Sequence, residues 1–190
     1  MLNLYNFYTD YQSLPLFNDV GNKIYMLHRS NRYDWGTHIS EKDLEPVIGT
    51  IKRDSTYAYE YAKNIIGGRW PDGENAIKTS SYYALKYAKF ILKRDKSWTY
   101  KSGRWPEAEP YIMKDGYEAY EYASDILAME PTWEYPKGRW PEAEPYIMQS
   151  SSGAHMYAAY ILKRRWPEAE PYIEKDEYYW NKYKDKFGIE

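Results

Sequence analysis

Gly103-Arg104-Trp105-Pro106-Glu107-Ala108-Glu109-Pro110-Tyr111-Ile112-Met113-Lys114-Asp115, followed after Gly116 by Tyr117-Glu118-Ala119-Tyr120-Glu121-Tyr122-Ala123-Ser124-Asp125-Ile126-Leu127, holds the two markers from which the fold is read. The first marker, Arg-Trp-Pro, begins at Arg69, Arg104, Arg139 and Arg165. The second is Ala-x-x-Tyr-Ala-x-x-Ile, found at Ala58/Tyr61/Ala62/Ile65, Ala84/Tyr87/Ala88/Ile91, Ala119/Tyr122/Ala123/Ile126 and Ala154/Tyr157/Ala158/Ile161. A degenerate fifth copy is Trp180/Tyr183/Lys184/Phe187. Successive copies lie 26, 35, 35 and 26 residues apart, which describes a tandem repeat of 26 residues with nine extra in two units. The extra residues have one location: Ile to the next Arg is 4 residues after Ile65 and Ile161, but 13 after Ile91 and Ile126. The two insertions, at about 94–102 and 129–137, share a pattern, Trp98-Thr99-Tyr100 in one and Trp133-Glu134-Tyr135 in the other.

The second marker has the i, i+3, i+4, i+7 spacing of one helical face, so each copy predicts a helix, here called B. Small alanines let a neighbouring helix approach, and Tyr and Ile fill the space beside it. Four residues before each copy stand Asp54, Ser80, Asp115, Ser150 and Asp176. Each is a preferred N-cap, whose side-chain oxygen accepts from an unpaired amide of the first turn. Glu118, three residues after Asp115, fits a capping box. B helices are therefore expected at roughly 54–66, 80–93, 115–128, 151–163 and 176–187. Gly68, Gly103 and Gly138 precede three of the Arg-Trp-Pro copies, and such a glycine suits a left-handed helix end where no insertion follows.

A second helix, A, is expected near Pro71, Pro106, Pro141 and Pro167, since proline is tolerated in a first helical turn. Glu107/Glu109, Glu142/Glu144 and Glu168/Glu170 follow, acids placed where the helix dipole favours them. Pro110, Pro145 and Pro171 come four residues later and predict a short helix A with an irregular first turn. Ile51 lies seven before Ala58, as Ile77 lies seven before Ala84, so 43–53 reads as a diverged first helix A. The expected architecture is all-α: a short α-solenoid of helix-hairpin repeats, five units over 43–190, with 1–42 as an atypical N-terminal cap rich in Leu2, Leu4, Tyr5, Phe7, Tyr8 and Tyr11.

The 103–127 stretch resembles short two-helix tandem repeats of the Arg-Trp-Pro-Glu-Ala-Glu-Pro-Tyr-Ile type found in uncharacterised proteins of tailed bacteriophages, and the likeness extends over most of 43–190. The resemblance implies a phage origin and expression in a bacterial cytoplasm. It implies no activity. The nine-residue insertions and residues 1–42 are the parts that depart from a plain array.

Composition narrows the function classes. The chain has 190 residues, 26 basic and 28 acidic, for a net charge of −2, so bulk charge does not argue for nucleic acid. It has no cysteine, which removes disulfides, thiolate metal sites and cysteine nucleophiles. No apolar run approaches the roughly 20 residues that span a bilayer, and the first 20 residues lack the charge and apolar core of a signal peptide. A soluble protein without membrane contact is expected. The 24 tyrosines and 8 tryptophans are unusual and suit half-buried positions and interfaces.

Few residues carry a catalytic pattern. The paired glutamates recur once per unit at helix starts, where the dipole explains them. Ser97, Ser102 and Ser150 to Ser152 show no partner base, and Gly67-Gly68 lacks the ending of a phosphate loop. His28, Asp34 and His38 could converge on a metal, but no His pair has helical ligand spacing. No cofactor, metal or catalytic residue is expected. Two sets of binding candidates remain. Arg69, Arg104, Arg139 and Arg165 form either a basic ladder or, structurally, pair with nearby Glu while Trp packs between helices. Trp98, Tyr100, Trp133 and Tyr135 sit in insertions that map to one face, often the binding face, or else fold back on their own repeats. The first alternative makes the insertions one exposed bipartite aromatic patch that serves binding rather than stability. The expected function is a non-enzymatic protein-interaction module with a host protein as partner, a defence or replication factor that it inhibits or redirects. The alternatives are single-stranded nucleic acid, with bases stacked on aromatics beside Lys96 to Arg104 and Lys137 to Trp140, and a small-ligand-sequestering protein; net acidity counts against the first.

Overall fold

The computed structural model describes residues 48–190; the N-terminal cap assigned to 1–42, with its His28, Asp34 and His38, lies outside the described residues. Among the described residues every regular element is helical. The A helices are α1 (Ile48–Ile51), α3 (Pro71–Ile77), α5 (Glu109–Ile112), α7 (Glu144–Ile147) and α9 (Glu170–Ile173). The B helices are α2 (Ser55–Tyr61), α4 (Ser81–Phe90), α6 (Gly116–Asp125), α8 (Ser151–Met156) and α10 (Glu177–Phe187). No helix among the described residues is long and apolar enough to cross a membrane.

All five predicted caps are made. Asp54, Ser80, Asp115, Ser150 and Asp176 each accept from amides of the following turn, for example Asp115 from Tyr117 at 3.0 Å and Glu118 at 3.1 Å. The capping box is not completed: the Asp115 amide donates to the Ile112 carbonyl at 3.2 Å, which closes the A helix directly onto the B helix. The prolines decide the length of helix A. Pro110, Pro145 and Pro171 cannot donate, so the chain makes a separate turn first and regular helix begins only at the residue before each proline. The second unit has Asn75 at that position, and α3 accordingly runs for seven residues instead of four.

The two kinds of unit end helix B differently. Without an insertion, the last turn widens into a π-helix, Ala62–Ile66 after α2 and Tyr157–Leu162 after α8, and closes on a left-handed residue. That residue is Gly67 (φ 67°) in the first case, one position before the expected Gly68, and Lys163 (φ 54°) in the second. With an insertion, the helix tightens into a 3-10 turn, Leu92–Arg94 or Leu127–Met129. The chain then loops back to Gly103 (φ 88°) or Gly138 (φ 76°). A Cβ at Gly103 would stand 2.4 Å from the Ala88 carbonyl oxygen, and one at Gly138 2.1 Å from that of Ala123, so the returning loop touches the helix end that launched it.

The B helices pack in chain order, α2 on α4, α4 on α6, α6 on α8 and α8 on α10. Each A helix also packs on the B helix of the preceding unit, α3 on α2, α5 on α4, α7 on α6 and α9 on α8. The face read from the sequence is the buried one. Ala58, Ala84, Ala119 and Ala154, and likewise Ala62, Ala88, Ala123 and Ala158, are fully buried, as are Ile51, Ile77, Ile112, Ile147 and Ile173 on the A side. The fifth unit carries Tyr183 in full and closes with Trp180 stacked on it and Phe187 at 4.7 Å.

Helices α6 and α8 approach backbone to backbone. A Cβ on Gly153 would lie 2.5 Å from the Gly116 carbonyl oxygen. Gly to Ala inside a helix ordinarily stabilises by up to about 1 kcal/mol. Here the neighbour is backbone, so Gly153→Ala should instead destabilise by about 1–3 kcal/mol. Thermal melting checks this against Gly49→Ala in α1, whose Cβ meets nothing within 4 Å. A melting temperature for Gly153→Ala at or above that of the parent chain would place the contact elsewhere.

Candidate functional site

The Arg-Trp-Pro motif builds one polar knot, repeated four times. Arg69, Arg104, Arg139 and Arg165 each fork onto the glutamate five residues on, Glu74, Glu109, Glu144 and Glu170. In the second copy Nε donates to Oε1 at 2.8 Å and Nη2 to Oε2 at 3.2 Å. Two parallel charge-assisted bonds hold the guanidinium in one plane. The glutamate's Oε1 also accepts from a tyrosine hydroxyl of the same unit's B helix: Tyr87, Tyr122 and Tyr157 at 3.2 Å and Tyr183 at 3.1 Å. That hydroxyl in turn accepts the backbone N–H of the motif's tryptophan, at 2.7 Å in Trp70, Trp105 and Trp140 and 2.6 Å in Trp166. The tryptophan amide precedes helix A, where no carbonyl of the helix can reach it, so the phenol supplies the missing acceptor.

The rings finish the connection. Tyr61, Tyr87, Tyr122 and Tyr157 face Trp70, Trp105, Trp140 and Trp166 of the following unit, with centroids 4.5 to 5.5 Å apart. From the second unit on, one tyrosine therefore fixes its own unit through its hydroxyl and the next through its ring. The basic-ladder reading of the four arginines gives way to the pairing one. Each is held by its glutamate, whose hydrogen bond raises the guanidinium pKa further, and Glu170 is lowered by the same bond from Arg165. Glu74, Glu109, Glu144 and Glu170, the inner acids of the motif, are thus spent on structure.

The insertions extend this knot. The Trp98 indole N–H donates to the Arg104 carbonyl at 2.8 Å, and its ring lies 4.5 Å from the Arg69 guanidinium. Trp133 repeats the arrangement, donating to the Arg139 carbonyl at 2.8 Å, with Arg104 at 4.7 Å from its ring. Tyr100 approaches Arg104 from the other insertion at 5.4 Å, and Tyr135 sits edge-on to Trp133. Arg104 is therefore where the two insertions meet. Ser102 strengthens the junction by donating to the buried carboxylate of Glu130 at 2.6 Å. Burial pushes the Glu130 pKa up, but hydrogen bonds from Ser102 and Thr132 outweigh it and hold the carboxyl below its usual value. The expectation of exposed aromatics that do not support their own core is corrected here: Trp98, Trp133, Tyr100 and Tyr135 are all half-buried, and both indoles pack on the core. An indole N–H needs an acceptor once its ring is drawn off water, and the carbonyl ahead of the next Trp-Pro is in reach. The arginines show the effect. Arg69 and Arg104, roofed by an inserted indole, leave 32% and 19% of their side chains exposed, against 43% and 50% for Arg139 and Arg165.

Open space concentrates on both sides of Arg69. One cleft of about 530 Å³ lies between α3 and the first insertion and is lined by Trp98, Tyr100, Asn75, Lys78 and Glu107. A larger one, of about 720 Å³, lies between α2 and α4. The sequence reading named Trp98, Tyr100 and Arg69, which line the first. It missed the second, whose lining comes from helix positions that differ from unit to unit. His155 is buried beside Tyr179 and Tyr183, and its Nδ1 finds no partner among the described residues. Burial, with the Lys182 charge second, lowers its pKa.

Tyr122→Phe removes the acceptor of the buried Trp105 amide and should cost about 1–3 kcal/mol, measurable by chemical denaturation. Alkaline titration tests the phenols as a group. Burial above all raises Tyr59 to about 12, Tyr87 and Tyr157 higher still, and Tyr122 well above the usual phenol value. A folded pKa above the unfolded value of 10.0 gives stability that is complete below that pH and lost as pH rises through the folded value. Unfolding above pH 10, with tyrosinate absorbance appearing alongside the loss of helix, is the expected result; ionisation of most tyrosines in a still-helical chain would contradict it.

No family model, curated protein or solved structure matches the chain.

Proposed function

We propose that the protein is a non-enzymatic protein-interaction module, a short α-solenoid of helix-hairpin repeats of phage origin that binds a host protein in the bacterial cytoplasm. One observation carries the reading. What is identical between these units, the Arg-Glu-Tyr-Trp knot, is consumed in holding them together, and apart from one buried position (Tyr59, Leu85, Tyr120, His155) much of what differs lies on the surface. A repeating frame with a varied exterior suits recognition of an extended partner surface. That exterior carries exposed Tyr82, Phe90, Tyr117, Tyr146, Tyr160 and Tyr178, residue types with much apolar area and, for tyrosine, a polar tip. Inhibition or redirection of a defence or replication factor is the activity that such a partner implies.

The candidate contacts narrow with the site geometry. Trp98 and Trp133 hold their own loops, so their removal weakens folding as well as any surface they build. Apart from Arg69, Trp98 and Trp105, the aromatic and cationic lining of the smaller cleft is Tyr100 and Lys78, both half-buried. Pull-down from bacterial lysate with tagged full-length chain, with and without nuclease, tests the reading. The expected result is a discrete protein partner that survives nuclease and is depleted about tenfold or more by Tyr100→Ala with Lys78→Glu, at unchanged melting temperature. Recovery of nucleic acid alone, or loss of every partner on nuclease treatment, would replace this reading with the nucleic-acid one.

A further inference from the structure

The larger cleft has a charge of its own. Its rim carries Lys63, Lys86, Arg94 and Lys96, and among the described residues none of the four forms an ion pair with a carboxylate. The fifth cation, Arg69, is already committed to Glu74. The cleft's one acid, Asp95, is occupied by the Ser97 hydroxyl at 2.6 Å and amide at 2.8 Å, bonds that also lower its pKa. Apolar surface lies among these cations: Ile66 is 37% exposed and Phe90 43%. Outside the cleft, α4 meets an acidic stripe on the next unit, where Glu121 and Asp125 of α6 hold Lys89 at 3.5 and 2.5 Å and Glu118 feels the charges of Lys86 and Lys89.

We propose that this cleft docks an acidic segment of the partner protein, with carboxylates on Lys63, Lys86, Arg94 and Lys96 and one aliphatic or aromatic side chain against Ile66 and Phe90. The inference rests on the interaction-module reading and names the chemistry of the partner. Charge complementarity selects a peptide over a nucleic-acid strand. A phosphate backbone carries one charge per nucleotide, so a strand leaving the cleft across α4 runs onto Glu118, Glu121 and Asp125. A peptide changes sign within a residue or two and can present a base to that stripe. The aromatic lining is sparse: Tyr59 is buried, with its ring against Tyr83 at 5.5 Å, which leaves the single ring of Phe90 exposed in place of the successive stacking platforms of a strand-binding groove. Lys86 donates to the Tyr82 hydroxyl and Lys63 lies over the Tyr59 ring, but unlike the four arginines of the knot neither is held by a carboxylate in an ion pair among the described residues.

Selection of a random displayed-peptide library on the full-length chain tests this. Enriched peptides should be acidic with at least one Leu, Ile or Phe. A synthetic, fluorescently labelled member should bind with an affinity that falls with salt. Binding should drop about tenfold or more on Lys63→Glu with Lys86→Glu, and again on Phe90→Ala, while melting is retained. Enrichment of peptides without acids, equal binding to the double variant, or tighter binding of oligodeoxythymidine or a nucleoside triphosphate than of any acidic peptide would overturn it. If the pull-down still yields a nuclease-resistant partner that binds the Lys63→Glu, Lys86→Glu chain normally, only the cleft assignment falls. Failure of both experiments removes the module reading as well.

Discussion

A tyrosine hydroxyl caught between a tryptophan amide and a glutamate is the interaction on which the whole array depends. A solitary buried N–H ahead of helix A would be costly, and a buried phenol without partners equally so. Each cancels the other's deficit. The glutamate completes the phenol's donor side and is itself fixed in plane by the arginine fork. The ring, meanwhile, is free to press on the next unit's indole. Order is thus passed along the chain by a residue that bonds backward and packs forward. Removing the tyrosine strands the buried tryptophan amide, and removing the glutamate strands the phenol's donor and the arginine fork, which is why the four residues recur together.

This constraint explains where extra sequence is tolerated. Arginine to tyrosine is 18 residues in all four copies, with or without an insertion in the unit. The nine additional residues always fall after the tyrosine and before the next arginine, outside the knot. There the chain needs only to leave helix B and return to the next tryptophan. A π-turn closed by a left-handed residue does this with only four residues from Ile65 to Arg69 and from Ile161 to Arg165. The longer path uses a 3-10 turn, a loop, and a glycine pressed against the helix end. Both deliver the same Trp-Pro to the same place, and an array of mixed unit lengths keeps one packing geometry.

Periodicity and cap chemistry made most of this legible in advance. The five N-caps, the buried Ala-Tyr-Ala face and the short proline-bounded A helices follow from local rules that need no knowledge of neighbours. What escaped the sequence was long-range. Arg104 and Glu109 are near in the chain, but Tyr122, which joins them, acts across a helix hairpin, and only the constant 18-residue spacing hints at it. Glu118 fits a capping box by pattern, yet the tight A-to-B turn had already used the Asp115 amide. The insertion tryptophans show the same limit. An indole in an added loop looks dispensable to the fold until its N–H is seen on the carbonyl ahead of the next Trp-Pro.

The basic cleft was illegible for the opposite reason. Its residues break the repeat instead of obeying it. Lys63 has Lys89 at the equivalent place in the next unit, but that lysine is taken by Glu121 and Asp125. Lys86 has Glu121 at its own equivalent position, which reverses the sign of the surface one unit on. Arg94 and Lys96 belong to the start of the first insertion, where the second carries Met129 and Pro131. Four cations therefore gather only between the first two complete B helices, although net charge is nearly zero. Where a frame is enforced by an identical knot in every unit, departures on the outer face cost the fold little, and selection on them can answer to something outside the chain. Concentrating those departures beside Arg69, where the first insertion also opens the smaller cleft, sets this part of the described surface apart from the rest.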